Sequence, residues 1–253
     1  MQHQNVQRFN LVLQTISAAG DAGLRPNDLI DVTGLSKASV YRILSSLVEY
    51  QLIIQNTDNG RYFLSYKILA WAGAAIGRNN LIEITAPSLA RLKNLTEDTV
   101  YLVFRSNDQS VCVSRREGSF PIKALILHIG QRYPLGVGAS SVAMLMSLTD
   151  EEVKKIIERN RLNYPRYYTS AEAVINMVKR SQDLGFSLND GEWFPGMTSV
   201  ALPILTKNGF PVASISVAAL SSRMANDRMG KIVEQIREEV QCVQLLLKEH
   251  TEK

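Results

Sequence analysis

GLSKASVYRILSSLVEYQLII, residues 34–54, holds the pattern from which the rest of the chain can be read. Val40, Ile43, Leu44, Leu47 and Val48 recur at i, i+3, i+4, i+7 and i+8, which is one apolar stripe of a 3.6-residue helix. Ser36 stands where a cap hydroxyl can accept an unpaired backbone N–H one turn in, and Gly34 supplies the conformation a tight interhelical turn needs. The helix therefore starts near Ser36 and turns its polar N-terminal end outward, with Ser36, Lys37, Ser39 and Arg42 off the stripe. Alternating Leu52–Gln55 then starts a strand.

Working outward, Val6–Ala19 reads as a helix with Val6, Phe9, Leu13 and Ile16 on one face. Pro26 suits the first turn of a second helix that ends near Gly34. After the third helix comes a Thr57–Gly60 turn and a second strand, Arg61–Leu64. Helix, helix, helix, hairpin is the order of a winged helix-turn-helix, in which the start of the last helix reaches base edges in the major groove of DNA. Arg and Lys pair there with guanine, and hydroxyls approach bases or phosphates. The candidate DNA surface is therefore Ser36, Lys37, Ser39, Tyr41 and Arg42. Arg61, beside the hairpin tip, either joins it at a phosphate or the minor groove or is a solvated charge.

GLSKASVYRILSSLVE and GRYFLSYKILAWA resemble the N-terminal domain of IclR-type transcriptional regulators. Gly34, Leu35, Lys37, Ser39, Arg42, Leu44 and Leu47 stand at that family's motif positions, as do Arg61, Tyr62 and Leu64. The match departs at Gln51 and Ser65, where the family commonly has Gly, and these departures bear on the geometry of the wing. The resemblance implies a winged helix-turn-helix over residues 1–65, a linker helix over 66–80 and a GAF-like effector-binding domain over 81–253. The expected class is α+β.

With 253 residues, 45% of them hydrophobic, the chain is long enough for two cores. Its net charge of +4 permits a nucleic-acid partner. Residues 1–76 contribute little of it: Arg8, Arg25, Lys37, Arg42, Arg61 and Lys67 face Asp21, Asp28, Asp31, Glu49 and Asp58. A homodimer or tetramer reading paired half-sites would multiply the phosphate contacts. No apolar run spans a membrane and no signal-peptide pattern opens the chain, so a cytoplasmic location is expected. Cys112 and Cys242 are isolated and read as core or semi-buried thiols; with His3, His128 and His250 they give no metal-ligand spacing. No cofactor is expected.

Tyr66–Arg78 is apolar and Ala-rich, with Ile68, Leu69, Ala72 and Ile76 on one side, and reads as a connecting helix broken near residues 77–80. It is either a dimer seam or a helix whose Trp71 packs on the domain above. A helix over Leu81–Asn94 starts the next domain. Thr99–Arg105 and Ser110–Arg115 form a hairpin across Asn107–Asp108, and Ile122–Ile129 is a third strand. Helices are expected at Ser140–Ser147, Asp150–Asn160, Ser170–Leu184 and Asp227–Glu249, and strands at Ser199–Leu205 and Val212–Ala219. Hairpins interleaved with helices imply a largely antiparallel sheet.

Three segments are similar to the family's effector pocket: YPLGVGASS at 133–141, GFSLNDGEWFPGMTSVALPI at 185–204, and ASISVAA at 213–219. The resemblance implies that Ala139, Ser140, Asn189, Ser199 and Ser216 line the polar end of a cavity, with Tyr133, Met197, Ile122 and Leu125 as its apolar wall. The other reading of these serines is that they cap helices or satisfy neighbouring backbone. Ser140 and Ser141 start a helix whose free N–H groups suit a carboxylate. Relatives that bind small, very polar acids tend to carry Asp and Cys where this chain has Asn189 and Ser199, and Ser where it has Ala218. The implied effector is a larger organic acid, carboxylic or aromatic.

Catalysis is not expected. GVGASS lacks the third glycine of a dinucleotide fingerprint and no βαβ unit follows. No G-x-S-x-G elbow is present, and Asp190 with Glu192 reads as a solvated turn rather than an acid/base couple. The partners expected are a double-stranded DNA operator, a small organic acid and further copies of the chain, without a membrane. The competing function is a ligand-independent DNA-binding or interaction module whose C-terminal domain serves only assembly.

Overall fold

Gly34, with φ +67, ends one helix in the left-handed conformation, and Ser36 opens the next. Around that turn a computed structural model, describing residues 2–77, 81–191, 193–225 and 227–251, divides the chain into two compact units, Met1–Asn80 and Leu81–Lys253.

The first unit runs α1 (Gln2–Ala18), α2 (Pro26–Thr33), α3 (Lys37–Glu49), β1 (Ile53–Gln55), β2 (Tyr62–Leu64) and α4 (Lys67–Gly77). Pro26 occupies the first turn of α2, where its missing N–H costs nothing, and Asp28 closes that turn by accepting the Arg25 N–H at 2.9 Å. Val40, Ile43, Leu44 and Leu47 of α3 are buried against Val12, Ile16, Leu29, Ile53 and Tyr62. Truncating one such side chain, Leu47→Ala for example, costs about 2–5 kcal/mol, a large share of a small unit's stability. Val6, expected on the core face of α1, is 70% exposed, whereas Val12, outside the expected stripe, is buried. The stripe extends a turn beyond the core it covers.

The wing is also wider than its sequence suggests. Leu24 bridges Tyr62 through Leu24 N–H to Tyr62 O at 3.2 Å and Tyr62 N–H to Leu24 O at 2.8 Å, a single-residue third strand beside β2. Both departures from the family motif meet at its base. Gln51 sits at φ +56, a left-handed backbone position that favours glycine, and the Ser65 hydroxyl donates to the Gln51 carbonyl. The expected break near residues 77–80 falls largely on residues 78–80, outside the described residues.

The second unit comprises α5 (Leu81–Thr96), β3 (Thr99–Ser106), β4 (Gln109–Arg116), β5 (Arg132–Pro134), α6 (Ala139–Leu145), α7 (Asp150–Asn160), α8 (Ala171–Leu184), β6 (Ser187–Asn189), β7 (Met197–Leu205), β8 (Pro211–Leu220) and α9 (Asp227–Thr251). Its sheet, ordered β5-β4-β3-β8-β7-β6, is antiparallel at every pairing. Both faces are covered, and the period of 2 splits the chemistry between them. Ala213, Ile215, Val217 and Ala219 of β8 enter an apolar core with α5 and α9 residues such as Leu92 and Ile236. The alternate residues Ser214, Ser216 and Ala218 are turned to the opposite face, where Ala218 packs with residues of α6, α7 and α8. That face is the polar one, and a cavity opens on it.

Ile122–Ile129 is not a strand. Tyr101, fully buried on β3, takes the backbone groups a ladder would use: its hydroxyl donates to Ala124 O at 2.5 Å and accepts the Ile126 N–H at 3.0 Å. Pairing with β4 resumes only where Gly130 N–H reaches Cys112 O at 2.7 Å and Cys112 N–H reaches Gln131 O at 3.0 Å, and leads into β5. The short strand β6 has no counterpart in the sequence reading. Three residues are too few to display an alternation.

Candidate functional site

The first candidate site is the N-terminal turn of α3. The Ser36 hydroxyl accepts the Ser39 N–H at 3.3 Å and donates to the Ser39 hydroxyl at 2.9 Å, so both serines are engaged in starting the helix. Lys37, Tyr41 and Arg42 are exposed beside them. The Lys37 and Arg42 side chains make no hydrogen bond or ion pair with other described residues. The first turn of α3 carries no acid, whereas α7 opens on Asp150, Glu151 and Glu152. Carboxylates at a helix start stabilise it against the macrodipole and cations do not. The α3 terminus instead adds Lys37 to its own positive end, with Arg42 one turn further along, which produces an anion-attracting surface.

Arg61 stands apart from this group. Its guanidinium donates to Ala22 O at 3.0 Å and Gly23 O at 2.9 Å, tying the wing to the turn between α1 and α2. It is an anchored side chain rather than a simply solvated charge. On α4, Trp71 is 56% exposed and the Lys67 ammonium lies 5.9 Å from its ring centroid.

The second candidate site is a cavity, partly open to solvent, on the polar face of the second unit's sheet. It joins seven of the nine residues expected there: Tyr133, Ala139, Ser140, Asn189, Met197, Ser199 and Ser216. Ile122 and Leu125 do not reach it and are 56% and 43% exposed. Because Tyr101 holds the backbone of 124–126, that segment presents Ala124 to the core and Ile126 and Leu127 to the cavity, with the expected pair turned outward.

The cavity's polar groups are neutral and mostly paired with one another. Ser140 donates to the Ser216 hydroxyl at 2.8 Å, Ser141 to the Ser110 hydroxyl at 2.7 Å, and the Gln131 amide to the Tyr133 hydroxyl at 2.6 Å. At the start of α6, Gly138 O accepts the Ser141 and Val142 N–H groups at 3.0 Å, and those of Ala139 and Ser140 have no acceptor among the described residues. Burial pushes the Cys112 thiol up to about 11 and the Tyr101 hydroxyl up to about 12, so both stay protonated at neutral pH. Cys242 is exposed rather than semi-buried. Asp190 pairs with Arg180 at 2.8 Å, and that hydrogen bond holds its carboxyl below the usual range; Glu192 lies outside the described residues.

Residues passed over in the sequence complete the wall. Trp193 stacks at 14° on Tyr167 with centroids 6.3 Å apart, and Tyr133 meets Tyr167 edge-on at 5.2 Å. The Trp193 Nε1 is buried without a hydrogen-bond partner, and Phe194 stands beside it, 39% exposed. The signal for Trp193 was its place between Asn189 and Met197, two residues already assigned to the site.

A winged helix-turn-helix with a cationic reading helix, carried on one chain with an α+β unit that holds a cavity, defines a DNA-binding transcriptional regulator. Residues 7–57 match the family described as "IclR helix-turn-helix domain", and residues 73–245, more than half of the chain, match "Bacterial transcriptional regulator IclR C-terminal". The chain belongs to the IclR family of bacterial transcriptional regulators. It is 25% identical over 214 residues to the HTH-type transcriptional regulator KipR of Bacillus subtilis, covering 84% of this chain and 85% of that one. The fold is shared with an IclR transcriptional regulator from Alicyclobacillus acidocaldarius at a TM-score of 0.79 and 18% identity, over 96% of this chain and 98% of that one. It is shared also with an IclR homologue from Microbacterium hydrocarbonoxydans, complexed with 4-hydroxybenzoate, at a TM-score of 0.77 and 17% identity, over 96% and 99%. No helix among the described residues is long and apolar enough to cross a membrane.

Proposed function

We propose that this regulator reads a paired-half-site operator as a dimer or dimer of dimers, and that a small aromatic ligand in the second unit's cavity changes its operator affinity. Lys37, Tyr41 and Arg42 contact bases or phosphates, Ser36 and Ser39 set the helix start against the backbone, and Arg61 holds the wing in place. The observation that carries the DNA surface is Lys37 in the acid-free first turn of α3 and Arg42 in its second, both exposed and with side chains that no described residue pairs. The sequence reading is an organic acid, carboxylic or aromatic, and the Tyr133–Trp193 wall favours one that carries a ring. The homologue complexed with 4-hydroxybenzoate supports that class. A ligand that binds the two DNA-affinity states unequally shifts operator binding by linkage. The test is fluorescence anisotropy on DNA from upstream of the gene, titrated against salt and unrelated DNA. Tight, specific and salt-sensitive binding is expected. Binding no tighter than to random DNA under all ligand conditions refutes an operator at that locus.

A further inference from the structure

On the reading that α3 lies in the major groove, its exposed face limits which bases it can recognise. Lys37, Ala38, Tyr41, Arg42 and Ser45 stand at i, i+1, i+4, i+5 and i+8, and all five are exposed, so they form one strip along the helix opposite its buried stripe. The strip holds two cations, one methyl group and two hydroxyls. Residues 36–46 contain no Asn, Gln, Asp or Glu. Glu49, the first such residue, ends α3, about 18 Å along the axis from Lys37.

The missing residue types decide the reading. In the major groove guanine presents two acceptors, O6 and N7, whereas adenine combines an acceptor with an amino donor and cytosine shows an amino donor. Two-point reading of adenine takes an amide, and reading of cytosine takes a carboxylate. Lys37 and Arg42 carry donors only, and no described residue occupies them, so the edge they match is guanine. The hydroxyls of Tyr41 and Ser45 can donate or accept and so discriminate little. Five residues separate Lys37 from Arg42 by about 7.5 Å along the axis, roughly two base-pair steps. The wing supplies no further cation: Arg61 is the sole Lys or Arg of residues 53–64, and its guanidinium is turned to Ala22 O and Gly23 O. At the wing tip Asp58 is exposed, while the side-chain oxygens of Asn56 and Asn59 accept N–H groups of the turn itself. A carboxylate there is repelled by the phosphates and leaves the minor groove, which draws Arg and Lys, without an anchor.

We infer that each operator half-site is anchored on two guanines, roughly two base pairs apart, whose major-groove O6 and N7 are read by Lys37 and Arg42 with no reading of the minor groove. This rests on α3 being the DNA surface.

The experiment selects bound duplexes with the full-length protein from a pool randomised over about 30 base pairs, enough for two half-sites. Anisotropy then compares the enriched duplex with copies carrying 7-deazaguanine or inosine at its guanines. 7-Deazaguanine keeps base pairing and loses N7, and at the anchor positions it is expected to weaken binding about tenfold or more. Inosine keeps O6 and N7 and lacks only the minor-groove amino group, so affinity is expected to stay within about threefold. Selection repeated with Lys37→Ala and Arg42→Ala is expected to erase the guanine preference at one anchor position each and keep it at the other, with an unchanged melting temperature. An enriched site without guanine, or one indifferent to 7-deazaguanine, overturns the inference and leaves operator recognition standing. A loss with inosine as large as with 7-deazaguanine overturns the restriction to the major groove. Variants that weaken all sequences alike and keep both preferences overturn the base-reading roles, since that is how phosphate contacts behave. No enrichment above the starting pool overturns both this inference and the operator-binding reading.

Discussion

Arg42 and Arg61 were grouped by sequence as DNA contacts, and their surroundings make opposite predictions for the two alanine variants. The Arg42 side chain is exposed on α3 and makes no hydrogen bond or ion pair with the described residues, so Arg42→Ala removes no such bond and costs no more than about 0.5 kcal/mol in stability. If the side chain pairs with a base edge, its loss costs about 1–3 kcal/mol at each half-site. Two half-sites double this to about 2–6 kcal/mol, from roughly 30-fold to more than 10,000-fold in operator affinity. A phosphate contact would also lower the salt slope by about 1 per contact. Arg61→Ala loses two charged-donor hydrogen bonds, to Ala22 and Gly23, at a partly exposed site. A cost of about 1–2 kcal/mol follows, a drop of roughly 4–16 °C for a unit of this size. Anisotropy on the operator at two salt concentrations, paired with calorimetric melting of the full chain, reads both quantities. Operator affinity of Arg42→Ala within twofold of wild type refutes the α3 contact surface. An unshifted melting transition in Arg61→Ala refutes the anchoring role.

Other variants test the frame around the sites. Gln51→Gly relieves a left-handed non-glycine residue and leaves the backbone bonds to Val48 and Ser65 in place, so it should stabilise the first unit by about 0.5–1 kcal/mol; destabilisation would contradict the φ of +56. Gly118→Ala would set a Cβ 2.1 Å from the Glu97 carbonyl, backbone that cannot yield, and should lower unfolding stability by about 1–3 kcal/mol; a neutral result excludes that close approach. Burial pushes the Glu239 carboxyl up, but hydrogen bonds from Arg91 at 2.6 Å and from Ser88 outweigh it and hold it below the usual range. Its folded value therefore lies below its unfolded one, so the pair's contribution is full above about pH 4.3 and is lost as pH falls through the folded value. Melting temperature measured from pH 7 to pH 3 should fall less steeply in Glu239→Gln than in wild type, and equal slopes would refute the linkage.

What could be read from sequence was what neighbouring residues decide among themselves. The helix α3, its Ser36 cap, the left-handed Gly34 and Pro26 at the start of α2 all depend on contacts within four residues, and each stands where its spacing put it. Asp150–Asn160 likewise carries a Thr149–Glu152 capping box that marks its start. The errors share a different cause. Ile122–Ile129 has the composition of a strand, but the hydroxyl that captures its backbone belongs to Tyr101, more than twenty residues earlier in the chain. Ile122 and Leu125, which the resemblance set in the cavity wall, lie in that same segment and are turned outward instead. Arg61 could be read only as a DNA contact or a solvated charge because the carbonyls that hold it, those of Ala22 and Gly23, are almost forty positions away.

The same reasoning explains why the cavity has its particular polarity. β8 is buried on both faces, a condition under which strands usually become continuous apolar runs, yet it keeps Ser214 and Ser216 on one of them. Ser216 is satisfied through Ser140 on α6, whereas the hydroxyls of Ser214, Ser187 and Thr99 are buried without a protein partner. Each unpaired hydroxyl costs about 1–3 kcal/mol relative to a bonded one, so an apolar residue at any of these positions would stabilise the fold more. A sheet face selected for stability alone would resemble its opposite side, where Ala213, Ile215, Val217 and Ala219 meet α5 and α9. The serine-bearing face therefore trades packing for hydrogen-bonding capacity, and that trade lies on the side where the cavity opens and Trp193 holds an unused donor.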